Sequence, residues 1–253
     1  MSVELELARH GSGTPLLLLH PLGADARFFG PLTERLDHDV WTAELVGHGR
    51  SQCPTPYRIA EVADALAEAL QRTVDGQVAV VGVSLGGLVA QHLAAEHPEV
   101  VSHVVLCDTV VRYPEPMREM WGDRAQLVRT EGTEAVLEAT LDIWFGASPP
   151  PSLAAVCREM LLGTDPEAYA LACEALRDAD TRGVVDDIQQ PTAVLCGDLD
   201  APAFIADAQV LADRLVVDRT VTWLPGAHHA ALLEQPGRAA ALIGAHVREE
   251  EIA

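Results

Sequence analysis

Gly82-Val83-Ser84-Leu85-Gly86 is the stretch around which the chain is organised. Before it, Gln77-Val78-Ala79-Val80-Val81 is a short β-branched run that predicts a buried strand. After it, Gly86-Gly87-Leu88-Val89-Ala90-Gln91-His92-Leu93-Ala94-Ala95 has helical composition and apolar spacing, ending near Pro98. Strand, G-x-S-x-G and helix together predict a nucleophile elbow, a turn so tight that the serine backbone is strained and its hydroxyl stands above the sheet. The flanking glycines remove side chains that would collide there. A Gly-rich turn that merely joins a strand to a helix is the plainer alternative; the strand before and the helix after speak against it. No Lys-Ser/Thr pair follows Gly86-Gly87, so the turn is not read as a phosphate loop.

The 253 residues, 49% hydrophobic and 22% charged, suffice for one α/β domain with an insertion and do not read as disordered. No apolar run approaches the roughly 20 residues that cross a bilayer. Met1-Ser2-Val3-Glu4-Leu5-Glu6-Leu7 alternates like a strand and carries acids where a signal peptide carries bases, which predicts the mature start of a cytoplasmic protein. The five cysteines, Cys53, Cys107, Cys157, Cys173 and Cys196, are odd in number and lack C-x-x-C spacing. Cys107 and Cys196 close apolar runs and read as reduced, buried thiols. A formal charge of −21 argues against nucleic acid and anionic membrane as partners. It leaves a small molecule, even an anionic one, which answers to local charge.

Strand-like and helix-like segments alternate, which predicts an α/β fold with a mainly parallel sheet covered on both faces. The expected strands are 3–7, 16–20, 40–44, 78–82, 104–107, 192–196 and 220–224, with helices at 60–73 and 239–250. Between Asp108 and Gln190 the rhythm breaks into amphipathic helical pieces at 118–130, 134–144, 153–162 and 166–178, without a convincing strand. The chain therefore divides into a core segment 1–110, a helical segment 111–188 and a second core segment 189–253. Tyr113, Trp121, Trp144, Phe145 and Tyr169 fall in the helical segment, where they either hold the helices together or roof a pocket.

A serine hydroxyl is a poor nucleophile until a base takes its proton and a carboxylate orients that base. After the strand at 192–196, Gly197-Asp198-Leu199-Asp200 offers two acids, Asp198 and Asp200. After the last strand, Pro225-Gly226-Ala227-His228-His229 offers two bases. His48, His92, His97 and His103 show no metal-ligand spacing and no HExxH helix exists, so they read as surface or satisfied core residues. The chemistry calls for neither metal nor cofactor.

The elbow and the order serine, acid, histidine resemble the α/β-hydrolases. That resemblance implies an α/β-hydrolase fold, with a mostly parallel central sheet, helices on both faces and the helical segment inserted as a cap over the active site. The G-x-x-D spacing of such enzymes selects Asp200, leaving Asp198 as a turn acid that caps backbone amides. Their catalytic histidine lies five residues before the Glu of an E-x-P triplet, here Glu234-Gln235-Pro236, which selects His229. His228 is then expected at the pocket rim or facing solvent. One oxyanion-hole N–H is implied at Leu85. The second is implied at Leu22 in His20-Pro21-Leu22-Gly23, where Pro21 replaces a glycine common in relatives. Glu44-Leu45-Val46-Gly47-His48-Gly49-Arg50-Ser51 resembles the D-x-R-G-x-G-x-S loop of these enzymes and marks the fold.

More narrowly, the chain resembles the 3-oxoadipate enol-lactonases. The carrying pieces are Ser84-Leu85-Gly86-Gly87-Leu88-Val89-Ala90-Gln91, Trp144-Phe145, the runs Leu161–Tyr169 and Cys173–Asp180, and His229–Pro236. The family implies a cofactor-free hydrolase opening a small carboxylated lactone through an acyl-enzyme on Ser84. It also implies Trp144 in the pocket and Arg27, just after the oxyanion loop, on the substrate carboxylate. Pro21, His228 and the run Asp200–Phe204 depart from the family pattern beside the pocket. A carboxylesterase or carbon–carbon bond hydrolase on the same triad, or a slow hydrolase-fold receptor, are the competing readings.

Overall fold

Leu16–Leu19 and Val78–Val83 have no polar member, as strands covered on both faces require, and every one of these residues is buried. The computed structural model describes residues 5–52, 55–216 and 219–248. Its strands are β1 (Glu6–Gly11), β2 (Pro15–Leu19), β3 (Asp39–Glu44), β4 (Val78–Val83), β5 (Val101–Cys107), β6 (Thr192–Gly197) and β7 (Val221–Leu224). They form one seven-stranded sheet in the order β1-β3-β2-β4-β5-β6-β7. Only β1 runs antiparallel to its neighbour, β3. The order reverses between β2 and β4, so the elbow after β4 stands at the centre of the sheet's C-terminal edge, where α/β folds place ligands.

The helices are α1 (Gly30–Thr33), α2 (Ile59–Thr73), α3 (Leu85–Glu96), α4 (Glu115–Glu131), α5 (Leu137–Phe145), α6 (Pro151–Gly163), α7 (Pro166–Asp178), α8 (Pro202–Arg214), α9 (Ala231–Glu234) and α10 (Pro236–Arg248). The chain is an α/β-hydrolase fold. None of the described helices is long and apolar enough to cross a membrane.

Two termini differ from the sequence reading. β1 begins at Glu6 and runs on to Gly11; Val3 and Glu4 of the expected strand lie outside the described residues. As an edge strand, β1 is set by pairing with β3 and by Arg9, which bonds Asp39 at 2.7 Å and covers the Trp41 ring, so its polar end carries little apolar alternation. The closing helix starts earlier, at Pro236, and Glu249 and Glu250 lie outside the described residues.

Helices α4 to α7 intervene between β5 and β6. The strands of chain that enter and leave them are clamped to α3. Gln91 on α3 is fully buried; its Nε2 donates to the Val110 carbonyl at 3.0 Å, and its Oε1 accepts from the Thr181 hydroxyl at 2.6 Å. The Thr181 N–H donates to the Val111 carbonyl at 2.9 Å, and Arg112 pairs with Asp180 beside it. A buried amide with every partner present is cheap; with a partner removed it is not. Gln91→Leu strands the Val110 carbonyl, while the Thr181 hydroxyl keeps the Val111 carbonyl at 3.0 Å, so a loss of about 1–2 kcal/mol is expected, read as a lowered urea midpoint.

Candidate active site

At the elbow, Ser84 takes φ 52° and ψ −111°, in the positive-φ half of the map that side chains avoid. The surroundings hold it there. Its N–H donates to the Cys107 carbonyl at 3.0 Å, and its carbonyl accepts from the Thr109 hydroxyl at 2.8 Å. A Cβ on Gly82 would meet the Gly86 carbonyl, and one on Gly86 would meet the Leu19 carbonyl of β2. Glycine at both positions is therefore a steric requirement of the turn.

The loop after β6 carries Asp198 and Asp200, and they do different things. Asp198 is turned to the surface side, where its Oδ1 accepts from the Gly226 N–H at 2.6 Å. Asp200 is buried; its Oδ2 faces His229 Nδ1 at 2.9 Å and its Oδ1 accepts from the Ala201 N–H at 2.6 Å. The loop after β7 separates its two histidines in the same way. His228 lies over Gly146 and is bonded through its N–H and Nδ1 to Glu234. His229 is buried, with Phe204 tilted against its ring at 4.2 Å between centroids. Its loop is tied to the end of α5: the N–H groups of His229 and Ala230 donate to the Ile143 and Trp144 carbonyls at 3.4 and 3.3 Å.

Burial disfavours the His229 cation, but the Asp200 charge and hydrogen bond outweigh it, and the imidazole pKa stands above its ordinary 6.5. A second carboxylate lies behind the pair. Asp108, at φ 48°, accepts from the Gly197 N–H at 2.9 Å and from the Cys107 thiol at 3.1 Å. Burial, then the Asp200 charge, pushes its carboxyl well above the usual range. Asp108, Cys196 and Asp200 bring ligand atoms within 4.8 Å of one another. Burial keeps the Cys196 thiol protonated, and the carboxylates already serve Gly197, Ala201 and His229, so this donor set does not suit a metal.

The loop after β2 is braced by two neutral histidines. His48 Nε2 accepts from the Gly23 N–H at 3.0 Å, and His20 Nε2 accepts from the Leu45 N–H at 3.0 Å. Each ring's Nδ1 lies against a backbone carbonyl, of Val46 and Pro21 respectively. Burial, reinforced by His48, pushes His20 down to about 3, and burial pushes His48 down to about 4. Leu22 in this loop reaches the cavity. Leu85 opens α3, so its N–H has no acceptor within that helix.

Ser84, His229 and Leu22 line a cavity of about 80 Å³ roofed by α4, α5 and α7. Trp144, Trp121 and Tyr169 line it, whereas Tyr113 and Phe145 do not. Arg27 does not line it either. Its guanidinium grips Asp25 through Nε at 3.0 Å and Nη2 at 2.7 Å and reaches toward Glu159 on the exposed side. Arg124 of α4 lines the cavity instead. Sequence reading passed over it, although Met117, Met120, Trp121 and Arg124 stand at helical spacing, which puts a charge on an apolar face.

The family model described as the alpha/beta hydrolase fold matches residues 14–142. The chain belongs to the α/β-hydrolase family. Among its relatives, 3-oxoadipate enol-lactonase 2 of Acinetobacter baylyi is 32% identical over 75% of this chain and 71% of its own. The pimeloyl-[acyl-carrier protein] methyl ester esterase of Chromobacterium violaceum is 31% identical over 88% of this chain and 90% of its own. The crystal structure of the enol-lactonase from Burkholderia xenovorans LB400 superposes with a TM-score of 0.89 at 29% identity, covering 98% of this chain and 97% of that one. These likenesses support an ester hydrolase.

Two pH responses are expected. Followed by NMR, the His229 ring should titrate above 6.5, and Asp200→Asn, which removes the charge and the charged hydrogen bond that hold it up, should lower that midpoint. A depressed histidine pKa gives stability that is full above the unfolded value near 6.5 and is lost as pH falls toward the folded value. For His48, with 4 as the lower bound, the loss by pH 4 is about 3 kcal/mol. His48→Gln, which keeps an acceptor for Gly23 but binds no proton, should make that acid limb shallower in urea unfolding, with His20 supplying what remains.

Proposed function

We propose that this protein is a cofactor-free serine hydrolase that opens a small enol-lactone bearing a carboxylate, 3-oxoadipate enol-lactone or a close analogue. The observation that carries the reading is the buried Asp200–His229 hydrogen bond beside a cavity that also holds the strained Ser84. Its substrate side rests on the likeness to enol-lactonases in sequence and structure.

In the proposed cycle, His229 takes the Ser84 hydroxyl proton as Oγ attacks the lactone carbonyl. Asp200 holds the imidazole tautomer and offsets the imidazolium charge. The N–H groups of Leu22 and Leu85 receive the oxyanion, a term usually worth about 3 kcal/mol per donor. Collapse of the tetrahedral intermediate breaks the ring C–O bond, and His229 returns the proton to the leaving enol oxygen. The enol becomes a ketone, which draws ring opening forward. Water, deprotonated by His229, then attacks the acyl-enzyme and releases the keto acid and the Ser84 hydroxyl. Trp144, beneath α5 and edge-on to Phe28 at 5.6 Å, gives the ring an apolar wall.

A carboxylesterase is the second reading, favoured by the likeness to a methyl ester esterase over most of the chain. It uses the same triad and a different leaving group. A panel of lactones and open-chain methyl esters, each with and without a carboxylate, decides between them: the lactonase reading fails if esters are turned over and enol-lactones are not. Ser84→Ala, His229→Ala and Asp200→Asn should each remove most of kcat, with no further loss on combination, because the three act as one unit. Activity kept by His229→Ala or by Asp200→Asn would remove that residue from the triad.

A further inference from the structure

Of the arginines on α4, two are neutralised by acids. Arg118 meets Glu115 and Asp178, and Arg129 meets Glu167 and Glu174. Arg124 is different. Among the described residues no carboxylate lies within 4 Å of it. It is half-buried in the roof of the cavity that contains Ser84 and His229. Its bonds go to neutral groups: Nε donates to the Tyr169 hydroxyl at 2.9 Å, and Nη2 donates to the Thr140 hydroxyl at 2.5 Å and the Val136 carbonyl at 3.5 Å. The rings of Tyr169 and Trp121 flank it at 5.7 and 6.0 Å. Among the described residues Nη1 has no acceptor, so one arm of the fork is unspent.

A guanidinium on an apolar face, in a protein of net charge −21, has acids available almost everywhere except here. Holding a cation partly desolvated without a counter-charge is unfavourable unless something supplies the charge. Neutral acceptors on Nε and Nη2 fix the plane of the group while leaving its charge uncompensated, which is the arrangement an anion receptor needs. We propose that Arg124 is the specificity-determining residue that receives the carboxylate of the substrate, and that Arg27, already spent on Asp25, is not. The proposal rests on the hydrolase reading above and names the group that would make it selective for anionic acyl compounds.

The test is a ratio. The carboxylated enol-lactone is compared with its carboxamide, which has the same shape and no charge, and kcat/KM is measured for the wild type, Arg124→Met and Arg124→Lys. The wild type should prefer the carboxylate, and Arg124→Met should reduce that preference by about thirtyfold or more, the scale of a charge-assisted pair. Arg124→Lys should restore part of it. A purely structural Arg124 would lower both substrates together and leave the ratio unchanged, which overturns the proposal, as does an unchanged preference with Arg27→Met abolishing it. If the wild type hydrolyses neither lactone, the lactonase reading fails on its own. Quenching of tryptophan fluorescence by levulinate then decides the role of Arg124. Saturable binding lost in Arg124→Met sustains it; equal binding in both proteins, or none in either, sinks it.

Discussion

The contact between Gly86 and the Leu19 carbonyl, with Gly82 beneath it, is the constraint on which the rest depends. It lets α3 start against the middle of the sheet with no room for a side chain. The cost appears two residues before Gly86, as the positive φ of Ser84, and is met by two hydrogen bonds: the Ser84 N–H donates to the Cys107 carbonyl at the end of β5, and the Ser84 carbonyl accepts from the Thr109 hydroxyl just after it. Strain at one residue is thus distributed over three strands. The Leu85 N–H at the start of α3 and the neighbouring loop after β2 take their positions from the same packing. Neutral His48 holds the Gly23 amide of that loop, and neutral His20 ties the loop to the Leu45 amide after β3, so no charge is placed beneath it.

Charge is partitioned with comparable economy. Asp108 and Asp200 share one buried corner with His229, and burial together with mutual repulsion resists ionising both carboxylates. The surface is laced with arginine–carboxylate pairs. The cavity roof holds an arginine that has none among the described residues. An acidic exterior surrounding a cationic spot inside gives an anion little reason to linger anywhere but there.

Most of the core was legible in the sequence, because β2 and β4 are unbroken apolar runs, β5 and β6 contain the apolar runs Val104–Cys107 and Ala193–Cys196, and the glycine spacing around Ser84 has few structural uses. The helical insertion was legible too, through amphipathic spacing and the lack of strand-like runs. Edges were less so: β1 is defined by its partner and by Arg9, neither of which leaves a period in its own residues. The Asp198/Asp200 and His228/His229 choices rested on family spacing, since adjacent side chains of the same type differ only in direction, which the fold sets. Arg27 looked suitable by position along the chain, but proximity to a loop does not reveal that Asp25, two residues earlier, takes its Nε and Nη2, or that Nη1 reaches toward Glu159. Arg124 had a signal, a charge on the apolar stripe of α4. Its meaning depends on α5 and α7 closing around it, contacts far apart in sequence.

The bonds from His229 and Ala230 to the carbonyls at the end of α5 have a bearing on timing. The loop that carries the imidazole and the helix that carries Trp144 are joined by backbone, not by interchangeable side chains. Any outward swing of α5 wide enough to admit a ligand must either break those two bonds or pull the imidazole loop with it. In the second case an open door and a cocked trigger are mutually exclusive. In that case the base proposed for Ser84 would leave it while a ligand loads and return only on closing.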